Sequence, residues 1–294
     1  MPVAFLDLLV PEAEVAAVDV SGFLAQVCAE ARDRVAAASA AAPLTDLKAR
    51  ALAAPAPPSF LAALQSPDVA VIAEIKRSSP SRGHLADIPD PAALAGAYAA
   101  GGASAISVLT EPRHFSGDLQ DLVDVAGATT LPVLRKDFVV DPYQVWEARA
   151  AGAAAVLLIV VALEQEELVQ LLQVVEEAGL VALLETHDEL EVTRATGAYE
   201  FAGITGKPVI GVNARDLTTL EVDTSRFAAL RALIPDGVVA VAESGVRSAD
   251  DVRRLGAEGA DAVLVGETAA TADDPAAAVG ALVAAGRSAS GTVR

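Results

Sequence analysis

The chain reads as an α/β protein built as a (β/α)8 barrel of the TIM type with an N-terminal helical extension. Three observations predict this. Eight short apolar runs recur along the chain, beginning near Val71, Ala105, Pro132, Ala155, Val181, Val209, Val238 and Ala262. Each is followed by a polar or glycine-bearing loop and then a helix-like stretch. Continuous apolar runs alternating with helices indicate a parallel sheet covered on both faces, and eight such units in about 215 residues suit one closed barrel. The alternative, an open doubly wound sheet, would want a Gly-x-Gly-x-x-Gly turn after its first strand, and none is present. The expected division is a leader and helical extension over 1–66 and the barrel over 67–294, together one catalytic domain.

Taken in order, Phe5 to Val10 could form one helical turn before Pro11, within a leader of about 20 residues. From Gly22 to Ala41, the residues Phe23, Leu24, Val27, Ala31 and Val35 recur at helical spacing. Thr45 is a candidate cap for a second helix over Asp46 to Ala53, which Pro55, Pro57 and Pro58 end. Ser59 opens a short helical piece through Leu64. Within the barrel, Asp90-Pro91, Asp141-Pro142 and Asp274-Pro275 each place a cap residue before a proline at the first helical position. Gly101, Gly152 and Gly179 follow helical stretches as stops.

Composition narrows the function. Of the 294 residues 53% are apolar, enough for a sizeable core in which Ala, Val and Leu are expected to pack against each other. A net charge of -19 disfavours nucleic acid and anionic membrane surfaces as partners, yet a local basic cluster can still hold a small anion. The single cysteine, Cys28, allows no internal disulfide, which fits a reducing cytoplasm, and its helical setting suggests a buried, inert thiol. No secretory signal is visible, and the longest apolar run, Ala153 to Leu163, has the length of an interior strand and not of a membrane span.

Chemistry is expected at the C-terminal ends of the strands, where barrel loops face a substrate. The stretch Leu131-Pro-Val-Leu-Arg-Lys-Asp-Phe138 ends a short apolar strand on three charges, which a buried strand does not need. An ordinary solvated loop pair at Lys136 and Asp137 is the plainer alternative. The other strand ends argue against it: Glu74 and Lys76 on the first, Glu111 on the second, Glu185 on the fifth, Asn213 and Arg215 on the sixth, Glu243 and Ser244 on the seventh, Glu267 on the eighth. Glu74 and Lys76 are two apart and so share one side of a strand. Charges converging on one mouth stabilise one another and mark functional sites. The loops after strands seven and eight carry Ser244-Gly245 and Gly266-Glu267; glycine lets backbone N–H groups approach an anion, and these loops are the usual phosphate place in such barrels. Mere turns would account for either glycine alone.

These residues resemble the indole-3-glycerol-phosphate synthases of tryptophan biosynthesis. The matching motifs are Ile72-Ala-Glu-Ile-Lys-Arg-Ser-Ser-Pro-Ser81, Ile106-Ser-Val-Leu-Thr-Glu111, Leu134-Arg-Lys-Asp-Phe138, Gly211-Val-Asn-Ala-Arg-Asp-Leu217 and Ala242-Glu-Ser-Gly245, within a likeness running from about Gly22 to about Val283. The resemblance implies ring closure of 1-(2-carboxyphenylamino)-1-deoxyribulose 5-phosphate with loss of carbon dioxide and water, using no metal and no cofactor. It implies Lys136 as general acid, Glu185 as base of the later dehydration, Glu74 as the carboxylate holding the acid lysine, and Lys76 as the lysine that fixes the substrate's anionic end and has been given an acid role. Asn213 and Arg215 would position the substrate, Ser79 would give a polar contact, and Phe115, Phe138, Leu157 and Leu217 would wall the aromatic ring. Glu243 and Ser244 would also meet the substrate, while Gly245, Gly266 and Glu267 would form the phosphate loops. The implied partner is thus a small anionic sugar phosphate, and a monomer is the favoured state.

The chemistry of the side chains agrees. A lysine among carboxylates stays protonated at neutral pH and can serve a carbonyl as an acid. Family members often carry serine where this chain has Glu267, so that side chain is expected to turn away from phosphate. The connection Ala198 to Pro208 looks long, and lies on the bottom of the barrel. His84, His114 and His187 sit in three loops without metal-ligand spacing and read as loop or helix-start residues, and Trp146 as packing. A phosphoribosylanthranilate isomerase would share the fold but would want a Cys or Asp pair placed differently. A binding-only barrel would not need a paired acid and base.

Overall fold

The computed structural model describes residues 22–217 and 219–289. Eight parallel strands close into a barrel: β1 Ala70–Ile75, β2 Ala105–Leu109, β3 Val133–Lys136, β4 Ala155–Ile159, β5 Val181–Thr186, β6 Val209–Asn213, β7 Val239–Glu243 and β8 Ala262–Val265. Each pairs with its sequence neighbours, and β8 closes on β1 through Ala70↔Ala262 to Ala73↔Val265. The strands are buried along nearly their whole length, as continuous Val, Ile, Leu and Ala runs require when helices cover one face and the barrel interior the other. The predicted strand starts are met within a residue.

Among the described residues three helices precede the barrel: α1 Phe23–Ala41, α2 Leu44–Ala53 and α3 Phe60–Leu64. In α1 the buried face is Leu24, Val27, Cys28 and Ala31, and burial pushes the Cys28 thiol up to about 11, as expected of an inert core thiol. Ser59 caps α3, accepting from the Ala62 N–H. Thr45 does not cap α2: that helix begins two residues earlier than expected, with Pro43 at the cap position and no side-chain cap. Proline fixes φ for the turn into the helix, so the start moves to it. The N-terminal leader lies outside the described residues.

The covering helices are α4 Pro91–Ala100, α5 Leu119–Ala128, α6 Pro142–Ala150, α7 Gln165–Glu177, α8 Glu189–Ala202, α9 Arg226–Arg231, α10 Ala249–Ala257, the short α11 Glu267–Ala270 and α12 Pro275–Ala289. Asp90, Asp141 and Asp274 accept backbone N–H groups of Ala93, Tyr143 and Ala277, as their Asp-Pro spacing predicts. Gly152 and Gly179 hold the left-handed stops, with φ of 92° and 69°. At the end of α4 that role falls to Gly102, φ 88°; Gly101 stays helical, and it is glycine because a Cβ there would lie 2.5 Å from the Ala276 carbonyl oxygen. Helix α8 runs to Ala202, so half of the expected long connection before β6 is the last turns of a helix, and the link itself starts at Gly203. Trp146 is fully buried with the Lys48 ammonium 4.7 Å over its ring, a cation–π contact joining α2 to α6.

Candidate active site

A cavity of about 560 Å³ opens at the C-terminal end of the barrel. Of the expected strand-end charges Glu111 is not part of its wall; the lining includes Glu74, Lys76, Ser79, Phe115, Lys136, Phe138, Leu157, Glu185, Asn213, Arg215, Leu217, Glu243, Ser244, Gly245, Gly266 and Glu267. Their convergence follows from strand periodicity. The last residue of each strand that points inward at the top contributes its side chain to the mouth.

Lys136, the final residue of β3, is the central cation. Its Nζ lies 3.3 Å from Glu185 Oε2 and 3.8 Å from Glu243 Oε2. Burial alone would lower the ammonium, but Glu185, then Glu243 and Glu74, outweigh it and raise its pKa. It is therefore protonated. The turn after it is held firmly. Asp137 accepts from Arg34 at 2.8 Å, Thr110 at 2.9 Å and Arg135 at 3.1 Å. Gln144 bonds both the Phe138 carbonyl and the Val140 N–H. Of the three charges that end this strand, only Lys136 offers its head group to the cavity; Arg135 and Asp137 brace it.

Glu74 corrects one expectation. It pairs with Lys76, Oε1 to Nζ at 2.9 Å, and accepts from Ser107 Oγ at 3.4 Å, so the carboxylates on Lys136 are Glu185 and Glu243. The two-residue spacing puts Glu74 and Lys76 on one side, and the barrel geometry makes Lys76, just past the strand end, its partner.

The two remaining carboxyls are shifted in opposite directions. At Glu185 burial works to raise the carboxyl, but Lys136, then His187 and Asn213, overcome it and hold it well below the usual range. At Glu243 burial, then the neighbouring Glu185 charge, push the carboxyl well above the usual range. Two carboxyls beside one lysine cannot both ionise cheaply, and Glu185, with His187 and Asn213 as further partners, keeps the lower pKa. Gly211 makes room for this: a Cβ there would stand 2.0 Å from Glu243 Oε1.

At the opposite wall, Ser244 and Gly245 take consecutive left-handed conformations, φ 65° and 76°. For the serine this costs on the order of 1 kcal/mol, a cost found mainly where a loop is functionally constrained. A Cβ at Gly266 would lie 2.5 Å from Glu74 Oε1 and 3.0 Å from Lys76 Nζ, so the last loop passes directly over that pair. The Glu267 carboxylate meets Arg82 at 3.2 Å, from the loop after β1. Arg82, Arg215 and Arg247 line this end of the cavity, giving it cations that the overall negative charge conceals.

Four lining or supporting residues were not legible beforehand. Phe23 reaches the cavity from α1, beside Phe115 and Phe138; nothing in a helical repeat marks its first residue as a site wall. Arg82 and Arg247 come from loops. His187 stands 3.5 Å from Glu185 Oε1. Its signal was available, because it is two residues past Glu185, the same spacing that linked Glu74 to Lys76. His114 is a tie and not a bare loop residue: it bonds Glu30 of α1 at 3.0 Å. Glu30, Glu111 and His114 cluster closely, but Arg113 pairs with Glu30, and Glu111 accepts three backbone N–H groups, so these donors are already engaged.

Comparison with known proteins agrees with the motifs. A family model described as indole-3-glycerol phosphate synthase matches residues 24–282. Curated relatives of that name include one from Mycobacteroides abscessus, 54% identical over 255 residues, 87% of this chain and 91% of the relative. Another, from Parafrankia sp., is 56% identical over 243 residues, 83% of this chain and 88% of the relative. Among solved structures, 3-hexulose-6-phosphate synthase from Salmonella typhimurium superposes with a TM-score of 0.57 at 15% identity, covering 75% of this chain and all of that one; at such identity the likeness concerns the fold alone.

Proposed function

Since the chain belongs to the indole-3-glycerol phosphate synthase family, we propose how its own side chains divide the family's reaction. That reaction is a decarboxylating and dehydrating ring closure in tryptophan biosynthesis: 1-(2-carboxyphenylamino)-1-deoxyribulose 5-phosphate becomes indole-3-glycerol phosphate, carbon dioxide and water. The observation that carries the assignment is the Lys136–Glu185 pair at 3.3 Å, a protonated acid against an ionised base.

The substrate is held at both ends. Its phosphate lies against the loops of Gly245 and Gly266, with Arg82 and Arg247 nearby, and its aromatic ring against Phe23, Phe115, Phe138 and Leu157. Lys76, fixed by Glu74, faces the carboxylate. Orientation of this kind supplies much of the rate, since the reacting carbons need only be brought together.

Chemistry then runs in three steps. The ring carbon bearing the carboxylate attacks the ketone carbon, and Lys136 protonates the ketone oxygen as it becomes a hydroxyl. Carbon dioxide leaves; its bonding electrons return to the ring and restore aromaticity, with no protein nucleophile needed. The hydroxyl departs as water after protonation by a lysine, and Glu185 removes the proton from the adjacent carbon to complete the indole. Loss of the Lys136 proton removes a cation from Glu185, so its basicity rises once the acid step is done. Asn213 and Arg215 keep the strand-six side of the substrate in register.

We further propose that the preamble helices and barrel act as one catalytic unit, because Arg34 of α1 bonds Asp137 beside the acid lysine. A monomer in the cytoplasm is our reading of the working form, and equilibrium sedimentation tests it. The functional test is to mix purified protein with the carboxyphenylamino-deoxyribulose phosphate, in the presence of a chelator, and follow indole fluorescence. A rise supports the reading; binding by calorimetry without a rise would replace it with a binding role.

A further inference from the structure

Among the described residues, His187 and Glu243 are ionisable side chains buried beside the reacting pair to which the reaction above gives no task. His187 sits just past the end of β5, its side chain one-tenth exposed. We propose that His187 is a positioning residue for Glu185, a cationic clamp that fixes the carboxylate's orientation and keeps it free of a proton until dehydration. This role rests on the reading of Glu185 as the base.

The geometry divides the Glu185 carboxylate between two cations. Oε2 faces Lys136 Nζ at 3.3 Å, and Oε1 faces His187 Nε2 at 3.5 Å. The ring cannot swing away, because its Nδ1 lies 2.9 Å from Glu191 Oε2 in the first turn of α8. The same Glu191 oxygen accepts the His187 backbone N–H at 2.9 Å, so one carboxylate fixes both the ring and its backbone. A carboxylate on each side of an imidazole favours the imidazolium. Burial pulls the ring's pKa down, but Glu185 and Glu191 more than offset this and take it up to about 10.

Other charges bear on the same place: Glu243 and Lys136 across the mouth, and Asp188 and Arg194 on the α8 side. With Lys136 alone, an ammonium beside a carboxylate in a closed site has a direct route to neutralise the pair by passing its proton across. A second fixed cation opposes that transfer. Lys136 therefore keeps its proton for the ketone oxygen, and Glu185 keeps its lone pair aimed at the carbon-bound proton. A plain helix-terminus staple would explain the Glu191 contact but not an Nε2 turned into the site.

The test compares wild type with H187A, H187Q and H187K in indole formation from pH 5 to 9, with thermal melts alongside. The expected result for H187A and H187Q is a fall in kcat of about tenfold with KM changed less than about twofold, the size of losing one charge-assisted contact. The acid limb of kcat/KM should move to higher pH, since Glu185 protonates more readily, and H187K should move it part of the way back. H187Q carries the test if H187A does not fold. Variants that melt lower yet keep the wild-type kcat and acid limb would reduce His187 to a staple and overturn the proposal. Wild-type protein that forms no indole would overturn the catalytic reading instead, and this role with it.

Discussion

Replacing Lys136 with methionine removes the acid but keeps the length of the side chain, and the structure sets what should follow. The ammonium lies 3.3 Å from Glu185 and 3.8 Å from Glu243, with only 17% of its side chain exposed. Breaking one partner from a buried pair costs about 3–5 kcal/mol when the remaining charge has nowhere to go. Here the cost is limited: His187 still faces Glu185, and burial with the Glu185 charge pushes the Glu243 carboxyl toward its neutral form. The stability loss should therefore fall at or below about 3 kcal/mol at neutral pH, and shrink as pH drops and Glu185 takes a proton. The rate should suffer more. A general acid contributes 10²- to 10⁴-fold, so kcat should fall at least about a hundredfold, a barrier increase of about 2.7 kcal/mol. The assay is steady-state indole fluorescence at saturating substrate, with a melt to show that the variant is folded. A folded K136M with kcat within tenfold of wild type would remove Lys136 as the acid and refute the reasoning.

Other outcomes follow from the same contacts. In Gly266→Ala the new Cβ would stand 2.5 Å from Glu74 Oε1 and 3.0 Å from Lys76 Nζ; the pair must part, and KM should rise about tenfold or more with little change in melting temperature, which kinetics and a melt will show. Arg34→Ala leaves Asp137 with Thr110, Arg135 and the Phe138 N–H, so stability should drop by about 1–3 kcal/mol in a denaturant titration and kcat should fall as the Lys136 turn loosens. His187, raised from 6.5 to about 10, binds a proton in the folded state that the unfolded chain releases between those values. Its contribution is complete below pH 6.5 and is lost as pH rises through about 10, so stability should decline across that window by at most about 1.4 kcal/mol per pH unit. The decline should flatten in H187Q.

The barrel was legible because its signals are local and repeated. Each strand is a short apolar run, and each Asp-Pro start supplies its own cap, so Asp90, Asp141 and Asp274 needed no tertiary information. The site was legible for a related reason: a charged residue ending an apolar strand has one place to go in a closed barrel. Failures came where partners are chosen across the fold. Glu74 had two lysines within reach, and the choice of Lys76 depends on barrel geometry that spacing alone does not give. Phe23 is one apolar residue in an amphipathic repeat, and only the docking of α1 over the mouth, tied by Arg34 and Glu30, turns it into a cavity wall. Proline at 43 displaced the start of α2 from Thr45 because fixed φ outweighs an optional side-chain cap there. His187 shares the strand parity of Glu185 and could have been read from it.

The division of labour between Lys136 and Glu185 is best tested by a single turnover of Glu185→Gln, with carbon dioxide release and indole absorbance recorded on the same sample. If Glu185 acts only in the final dehydration, carbon dioxide should appear at close to the wild-type rate while indole lags by a hundredfold or so. Loss of both signals together, or a wild-type indole rate, would contradict the assignment.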